Sequence, residues 1–558
     1  MSVVRVGAVI SVVLVSSAVY AQTTADQIEG RFNTPLAPLS QPGTTIPAFD
    51  PLSPPAAAAS IRFHLGAVDV VGATVLSAKD INAIYASRIG TDISVADLFG
   101  IANQITAAYG NAGYPLSRAI VPAQQIGSHG AVRIQVVEGF IDKVQIDGNG
   151  GDNPLIRSHA AAIEADRPIS NATLERYLLL SDDLPGVSAR SVLRRSPDTP
   201  GATTVVLDVE KSKPLHYSLT LDNRGSEAVG PFQLDMGATF ENLLQPNSET
   251  SLRLINASLS QELLYVTAQH SVVLNGEGTK LTFGLKASNS VPGTDPLTAI
   301  DLKTDARTAT VELSHPFIRS RNLNLQGLLG FEARDSKTYT LGVPLSLDRT
   351  RILRFGLDFD NTDAKGGTNT ISAELSHGLL GLGANPTGDP LNSRQFGRAD
   401  FTKLTLDLSR TQDLGALSPK FANWSVNGKI TAQMTGDPLL SSEECAIGGA
   451  QYGRAFDSST LSGDRCAAAG LEMRYQMQKT GPLSSLQLFG FYDIGGVSNL
   501  DPGSPAGTQH LASTGLGARF GFGKGYSGSI EIDKQLKNSG GGIVDTNPRI
   551  FISMKGEF

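Results

Sequence analysis

The residues able to do chemistry are few, and their spacing suits ion pairing better than catalysis. The 8 His are scattered and stand at no metal-ligand spacing from Cys or carboxylates. Gly523-Lys524 falls short of a phosphate loop, since Ala518 stands where its first Gly is needed and Gly525 where Ser or Thr is needed. Asp182-Asp183 reads as a solvated turn rather than an acid–base pair. Catalytic residues, cofactor and metal are therefore expected to be none. What remains is a Gly-rich stretch with one arginine, Gly448 to Asp464 (GGAQYGRAFDSSTLSGD), flanked by the two cysteines of the chain, Cys445 and Cys466.

Those residues need a scaffold, and composition limits which one. At 558 residues the chain is too long for one ordinary domain. Its net charge of -7 argues against nucleic acid as the partner. Only 18% of residues are charged and 59 are Gly, a low charge for a soluble protein of this size. Beyond the N-terminus no run of about 18 apolar residues offers a membrane helix. A membrane protein without such helices must be a closed barrel, because only these two structures satisfy every backbone group in lipid.

Along the chain, Arg5 precedes the apolar run Val6 to Val15, and small residues lead to Val19-Tyr20-Ala21. This pattern predicts a signal peptide over 1–21, with the mature chain beginning near Gln22. Residues 22–60 are a Pro-rich linker, with Pro35, Pro38, Pro42, Pro47, Pro51, Pro54 and Pro55, after a short polar helix around Thr24 to Phe32.

From 61 to 139 the pattern is mixed. Phe63 to Val70 suggests a strand, Ser77 caps a helix carrying Ile81 and Tyr85, and Ser94 with Asp97 opens a second helix ended by Gly110 and Gly113. Ala119 to Val121 and Val132 to Val136 follow as strands. The order strand, helix, helix, strand, strand recurs over 140–212, so the segment is a repeat of two α+β units. From 213 to 558 the period becomes two. Leu215, Tyr217, Leu219 and Leu221 alternate with polar residues, as do Phe232 to Phe240, Leu281 to Ala287 and Leu353 to Phe359. Such alternation, with tight turns such as His315-Pro316 and longer stretches such as Leu380 to Arg394, is what lipid-facing and lumen-facing sides require. A soluble β-sandwich would alternate similarly. The last strand places Ile550, Ile552, Met554 and Phe558 on one face; this ending resembles the signal read by the barrel-assembly machinery and favours the barrel.

Together these segments resemble the TpsB transporters of two-partner (type V) secretion, the haemolysin secretion/activation type. Tyr109 to Gln125 (YGNAGYPLSRAIVPAQQ) and Val132 to Gly139 (VRIQVVEG) are similar to a first POTRA domain, and Leu174 to Val187 (LERYLLLSDDLPGV) to a second. Ser314 to Asn322 (SHPFIRSRN) resembles a periplasmic turn. Gly448 to Asp464 resembles the sixth extracellular loop, with Gly448, Gly449, Tyr452, Gly453, Gly463 and Asp464 in its motif and Arg454 and Phe456 at its tip. Ala455 stands where that tip usually has Gly, which puts the backbone conformation in question. Phe489 to Val497 (FGFYDIGGV) resembles the strand motif whose Asp, here Asp493, takes the loop arginine inside the lumen. Cys445 and Cys466 lie almost symmetrically about Ala455, so a hairpin with its tip there brings them opposite each other for a disulfide.

The resemblance implies a mainly β protein: an antiparallel outer-membrane barrel of about 16 strands, with two POTRA domains in the periplasm. It implies capture of a TpsA-type exoprotein, haemolysin- or adhesin-like, around Tyr114, Pro115, Leu116 and Arg118, and its export unfolded through the barrel. The remaining partners are outer-membrane lipid and, during biogenesis, the assembly machinery. Two readings compete with export. An assembly factor for other barrels normally carries more POTRA repeats, and a passive porin needs none.

Overall fold

In a computed structural model, the structure describes residues 29–32, 37–39, 51–199, 202–257, 262–478, 481–502, 507–540 and 544–558. The expected signal peptide and most of the polar helix and linker lie outside them. The first α+β module combines the strands Ala67–Val71, Arg118–Ile120 and Ala131–Val137 with the helices Ala78–Tyr85 and Val95–Asn111. Ala131–Val137 is central, parallel to Ala67–Val71 and antiparallel to Arg118–Ile120. The expected strand from Phe63 to Val70 is split: Arg62–His64 pairs separately with Asp92–Ser94.

Local chemistry sets the helix starts. Ser94 and Asp97 form a reciprocal capping box, in which each side chain accepts the other's backbone N–H, at 3.1 and 2.8 Å. The apolar stripe Leu98, Ile101, Ile105 and Tyr109 then packs on Leu65, Ile81 and Ile134, all buried. The second module repeats the arrangement with Ile141–Asp147, Pro154–Ala165, Asn171–Asp182, Val187–Arg195 and Thr203–Lys211. Thr203–Lys211 is its central strand, parallel to Ile141–Asp147 and antiparallel to Val187–Arg195.

A carboxylate explains the end of the motif VRIQVVEG. Glu138 accepts from the Thr74 and Val75 amides at 2.7 and 2.9 Å, from Thr74 Oγ1 at 2.5 Å and from the Tyr109 hydroxyl at 2.6 Å. Burial opposes its ionisation, but these bonds outweigh burial and hold its pKa below the usual carboxylate value. A group with a depressed folded pKa stabilises above its unfolded value, and that contribution is lost as pH falls through the folded pKa. Glu138→Gln is therefore expected to lower the opening free energy of the Thr74 and Val75 amides by about 1–2 kcal/mol at neutral pH. The difference should vanish in strong acid, as read by hydrogen exchange on the full-length protein.

Sixteen antiparallel strands form a closed barrel. The wall starts with Leu215–Asp222, Gln233–Glu241, Ser248–Ala257, Leu263–Val273 and Lys280–Ser290. It lengthens through Lys303–Arg319, Leu323–Thr340 and Val343–Thr362, then continues with Gly367–Gly378, Thr402–Asp413, Trp424–Thr435 and Arg465–Met477. Leu483–Ser498, Gln509–Phe522, Tyr526–Asn538 and Arg549–Glu557 complete it, and the ring closes as Ser553–Glu557 pairs with Ser218–Asp222. Outward positions such as Leu219, Leu221, Leu285, Phe355 and Leu357 are exposed apolar side chains, which only lipid accommodates in such numbers. No helix among the described residues is long and apolar enough to cross a membrane; the strands do so instead.

The proximal end of the barrel sits on the second module. Arg319 donates to both Asp183 oxygens at 2.7 and 2.8 Å, and Arg176 and Tyr177 hold Glu277 at 2.9 and 2.6 Å. One expectation is corrected here. His315-Pro316 is not a turn but part of the strand Lys303–Arg319, with a bulge between Pro316 and Ile318. The turn lies at 320–322, where Ser320 Oγ accepts from the Leu323 amide. The ladder to Lys280–Ser290 stops at Ser314, so Pro316 sits where one edge is already free, a place in a strand that tolerates proline.

Candidate functional site

The distal loop 436–464 does not stay outside the barrel. After a short hairpin, in which Cys445–Ile447 pairs with Leu461–Gly463, its tip folds back into the lumen. Glycines make that return possible: Gly448, Gly449 and Gly453 take φ of +120°, +93° and +77°, and a Cβ on Gly448 would stand 2.3 Å from the Asp457 carbonyl oxygen. Ala455 is not among the described non-glycine residues with positive φ; Ser459, at +58°, is. The alanine therefore bears no strain of that kind. It is fully buried, and its carbonyl accepts from Arg549 Nη1 at 3.0 Å.

Arg454 is 4% exposed and Asp493 is 0% exposed. Arg454 Nε donates to Asp493 Oδ2 at 3.0 Å, Nη2 to Oδ1 at 3.2 Å, and the Arg454 amide to Oδ2 at 3.2 Å. The guanidinium lies 3.5 Å from the Phe491 ring centroid, stacking that suits its weakly hydrated faces. A second carboxylate, absent from the sequence expectation, completes the arrangement: Nη1 donates to Glu472 Oε2 at 2.5 Å. Glu472 is shared with Arg519 at 2.8 Å and Arg474 at 2.6 Å, so the cluster balances buried charge across several strands. Alternation could have revealed Glu472, since it points inward between outward-facing Leu471 and Met473. Phe456 anchors the tip among Ile447, Leu461, Val497 and Leu511, and Lys429 lies 4.8 Å from the Tyr452 ring centroid.

Asp464 closes the base of the loop. It accepts from Arg394 Nη1 and Nη2 at 2.5 and 3.1 Å and from the amides of Leu439 and Leu500 at 2.7 and 2.6 Å. Arg394 also reaches Glu444 at 2.9 Å and Asp501 at 2.6 Å, joining three distal loops. Cys445 and Cys466 form a disulfide with Cα atoms 6.2 Å apart, and Gly463 is the strand partner of Cys445. The bridge ties the loop base to the barrel strand Arg465–Met477. Removing both thiols by Cys445→Ser with Cys466→Ser frees a separation of 21 residues and is expected to cost about 3 kcal/mol of loop-base stability. Faster cleavage of the loop by protease added to intact cells is the readout, with barrel insertion unchanged.

A third group of lumenal contacts comes from the N-terminal segment. Arg31 donates to Asp222 at 2.7 Å and Gln233 at 2.6 Å, Glu29 pairs with Arg334 at 3.0 Å, and Phe32 packs on Tyr265. Farther along, the Leu39 amide donates to Asp360 at 3.2 Å, near the proximal mouth. These residues and the loop leave a lumenal cavity of about 780 Å³.

Among the proposed capture residues, Tyr114, Pro115 and Arg118 are half-buried. Leu116 is buried and packs in the core of the second module. It joins the two modules and offers no surface to a partner; beside it, Arg118–Ile120 is the edge strand of the first sheet, with the Ala119 amide donated to Thr106 Oγ1 at 2.9 Å. Phe558 stacks on Tyr217 at 4.8 Å and meets Tyr526 edge-on at 5.7 Å, beside the closing seam.

Comparison with known proteins agrees with this architecture. Residues 201–520 match the family described as haemolysin secretion/activation protein ShlB/FhaC/HecB, and residues 63–139 match the ShlB-type POTRA domain. The heme/hemopexin transporter protein HuxB of Haemophilus influenzae (strain 86-028NP) is 24% identical over 473 residues, covering 82% of this chain and 80% of that protein. The outer membrane transporter CdiB-2 of Burkholderia pseudomallei (strain 1026b) is 26% identical over 473 residues, covering 79% and 74%. The solved structure of CdiB from Escherichia coli superposes with a TM-score of 0.75 at 20% identity, covering 93% of this chain and 94% of that one. With modules, barrel and matched segment in agreement, the chain belongs to the haemolysin secretion/activation ShlB/FhaC/HecB family of outer-membrane transporters.

Proposed function

We propose that this transporter captures an extended exoprotein in the periplasm, haemolysin- or adhesin-like, and passes it unfolded through its barrel without catalysing any reaction. The observation that carries this reading is the filling of the lumen. The chain's own loop tip and N-terminal residues occupy it through ion pairs and hydrogen bonds, contacts that can be exchanged for others at little net cost. The edge strand Val187–Arg195 of the second module suits strand addition by a partner segment, which uses main-chain bonds and makes little demand on sequence. Folding of the cargo outside would supply direction where ATP is lacking. Phe558, at the seam, is the proposed contact for the assembly machinery during insertion.

Cross-linking a stalled cargo tests the route. Ser372 lines the lumen, whereas Ile371 beside it faces outward. Cargo halted in transit should cross-link through Ser372→Cys and not through Ile371→Cys. Cross-links at Ile371→Cys alone would exclude passage through the lumen.

A further inference from the structure

The outer face of the barrel carries a cationic patch that export does not use. On the strands Lys303–Arg319, Leu323–Thr340 and Val343–Thr362, the register aligns Arg307, Asp335 and Arg349 in one row, and Asp305 with Lys337 in the next. All five point outward, because the alternate residues Thr308, Ser336, Asp348 and Thr350 are buried. Toward the modules the following rows are Ala309, Ala333 and Arg351, then Val311, Phe331 and Leu353, then Leu313, Leu329 and Phe355. Arg307 and Arg349 therefore stand one row, and Lys337 two rows, beyond the alanine row that bounds the apolar belt on its distal side.

Their neighbours neutralise them only in part. Asp335 is held by Arg351 at 2.9 Å and Asp301 by Lys303 at 2.9 Å, while Asp305 accepts from the neutral Asn289 at 2.9 Å and keeps its charge; Arg307, Lys337, Arg349 and Arg351 thus face two carboxylates, Asp305 and Asp335, and cations remain in excess. Arg307, Lys337 and Arg349 have no ion pair among the described residues. The patch is also local. Followed back around the wall, the register row of Lys337 and Asp305 continues as Asn289, Leu264, Asn256, Leu234 and Leu221, all uncharged.

We propose that Arg307, Lys337 and Arg349 bind phosphate groups of the glycolipid in the outer leaflet. The proposal rests on the outer-membrane placement of this family and adds a lipid site to it. Three features fit that ligand. Cations at the distal boundary of a lipid-facing belt meet headgroups of the outer leaflet and not those of the inner one. Guanidinium groups donate to phosphate oxygens in bidentate geometry. Arg307 and Arg349 sit two strand spacings apart, about 10 Å, so they can hold separate phosphates of one headgroup, with Lys337 beside them. The site lies on the wall far from the closing seam, where it would fix the barrel's height and orientation without obstructing it.

The test uses full-length protein in detergent, with bisphosphorylated hexa-acyl lipid A as the probe and native mass spectrometry as the readout. Wild type should retain that lipid and not its dephosphorylated form. Arg307→Gln with Arg349→Gln should weaken retention roughly thirtyfold, while Asp335→Asn should strengthen it. Heat-modifiable migration in gels confirms that each variant keeps a folded barrel. Equal retention by the double variant, or equal retention of the dephosphorylated lipid, overturns the proposal. Displacement by millimolar inorganic phosphate also overturns it, since the site would then take free phosphate. Export is scored in cells carrying the same variants; because the patch lies outside the lumen, export should persist when retention is lost. Loss of export with retention intact would instead count against the lumenal route alone.

Discussion

Arg454→Ala is expected to leave the barrel inserted and to cut cargo release at the cell surface by tenfold or more, about 1.4 kcal/mol at the least. The substitution removes a cation that two buried carboxylates share, Asp493 at 3.0 Å and Glu472 at 2.5 Å. Breaking a buried pair from one side costs about 3–5 kcal/mol, because the other charge stays desolvated. That energy is a property of the docked loop, so the ratio of docked to undocked loop should fall about a hundredfold or more, while the ladders that close the barrel are untouched. Asp493→Ala should produce the same loss from the opposite side. Glu472→Ala should be milder, because Arg454 keeps its two-toothed contact with Asp493. Surface cargo is measured against total cargo in cells, with folded barrel scored by heat-modifiable migration. Wild-type release by both Arg454→Ala and Asp493→Ala would remove the loop lock from the mechanism.

The second large effect concerns the N-terminal segment. Glu29 and Arg31 each meet an opposite charge or an amide of the wall. Exchanging their charges, Glu29→Arg with Arg31→Glu, sets like beside like at Arg334 and at Asp222. Two buried pairs become two repulsions, so the segment should leave the lumen and the time-averaged conductance in planar bilayers should rise about tenfold or more. Cells should become sensitive to large hydrophilic antibiotics. Conductance equal to wild type would show that the segment does not restrict the pore.

These effects depend on features of unequal visibility in the sequence. The barrel was legible because lipid and lumen impose a period of two, and Leu215 to Leu221 display it without interruption. The first module was legible through Ser94 with Asp97 and the helical stripe from Leu98 to Tyr109, and the second through the recurrence of the same order of strands and helices. Arg454 and Asp493 were found only by resemblance, since nothing in a loop arginine says where it will fold. Glu472 escaped because it lies outside both motifs, and Arg394 because its partners come from two other loops, far along the chain. The N-terminal contacts escaped for a different reason. A short polar segment has no apolar stripe, and its position is decided by charges on strands hundreds of residues away. His315-Pro316 misled because proline usually marks a turn, whereas here it marks a strand whose neighbouring ladder has ended.

The strands of the wall differ greatly in length. Leu215–Asp222 has 8 residues, against 20 in Val343–Thr362. At about 3.4 Å per residue and a tilt near 40°, the shorter strand rises about 20 Å, less than an apolar band of about 25 Å requires. Hydrocarbon chains must shorten or splay to meet it, at a cost of fractions of a kcal/mol per Å. The bilayer around this protein is therefore lopsided, thinned along the arc where the first strand meets the last and at full depth across the barrel.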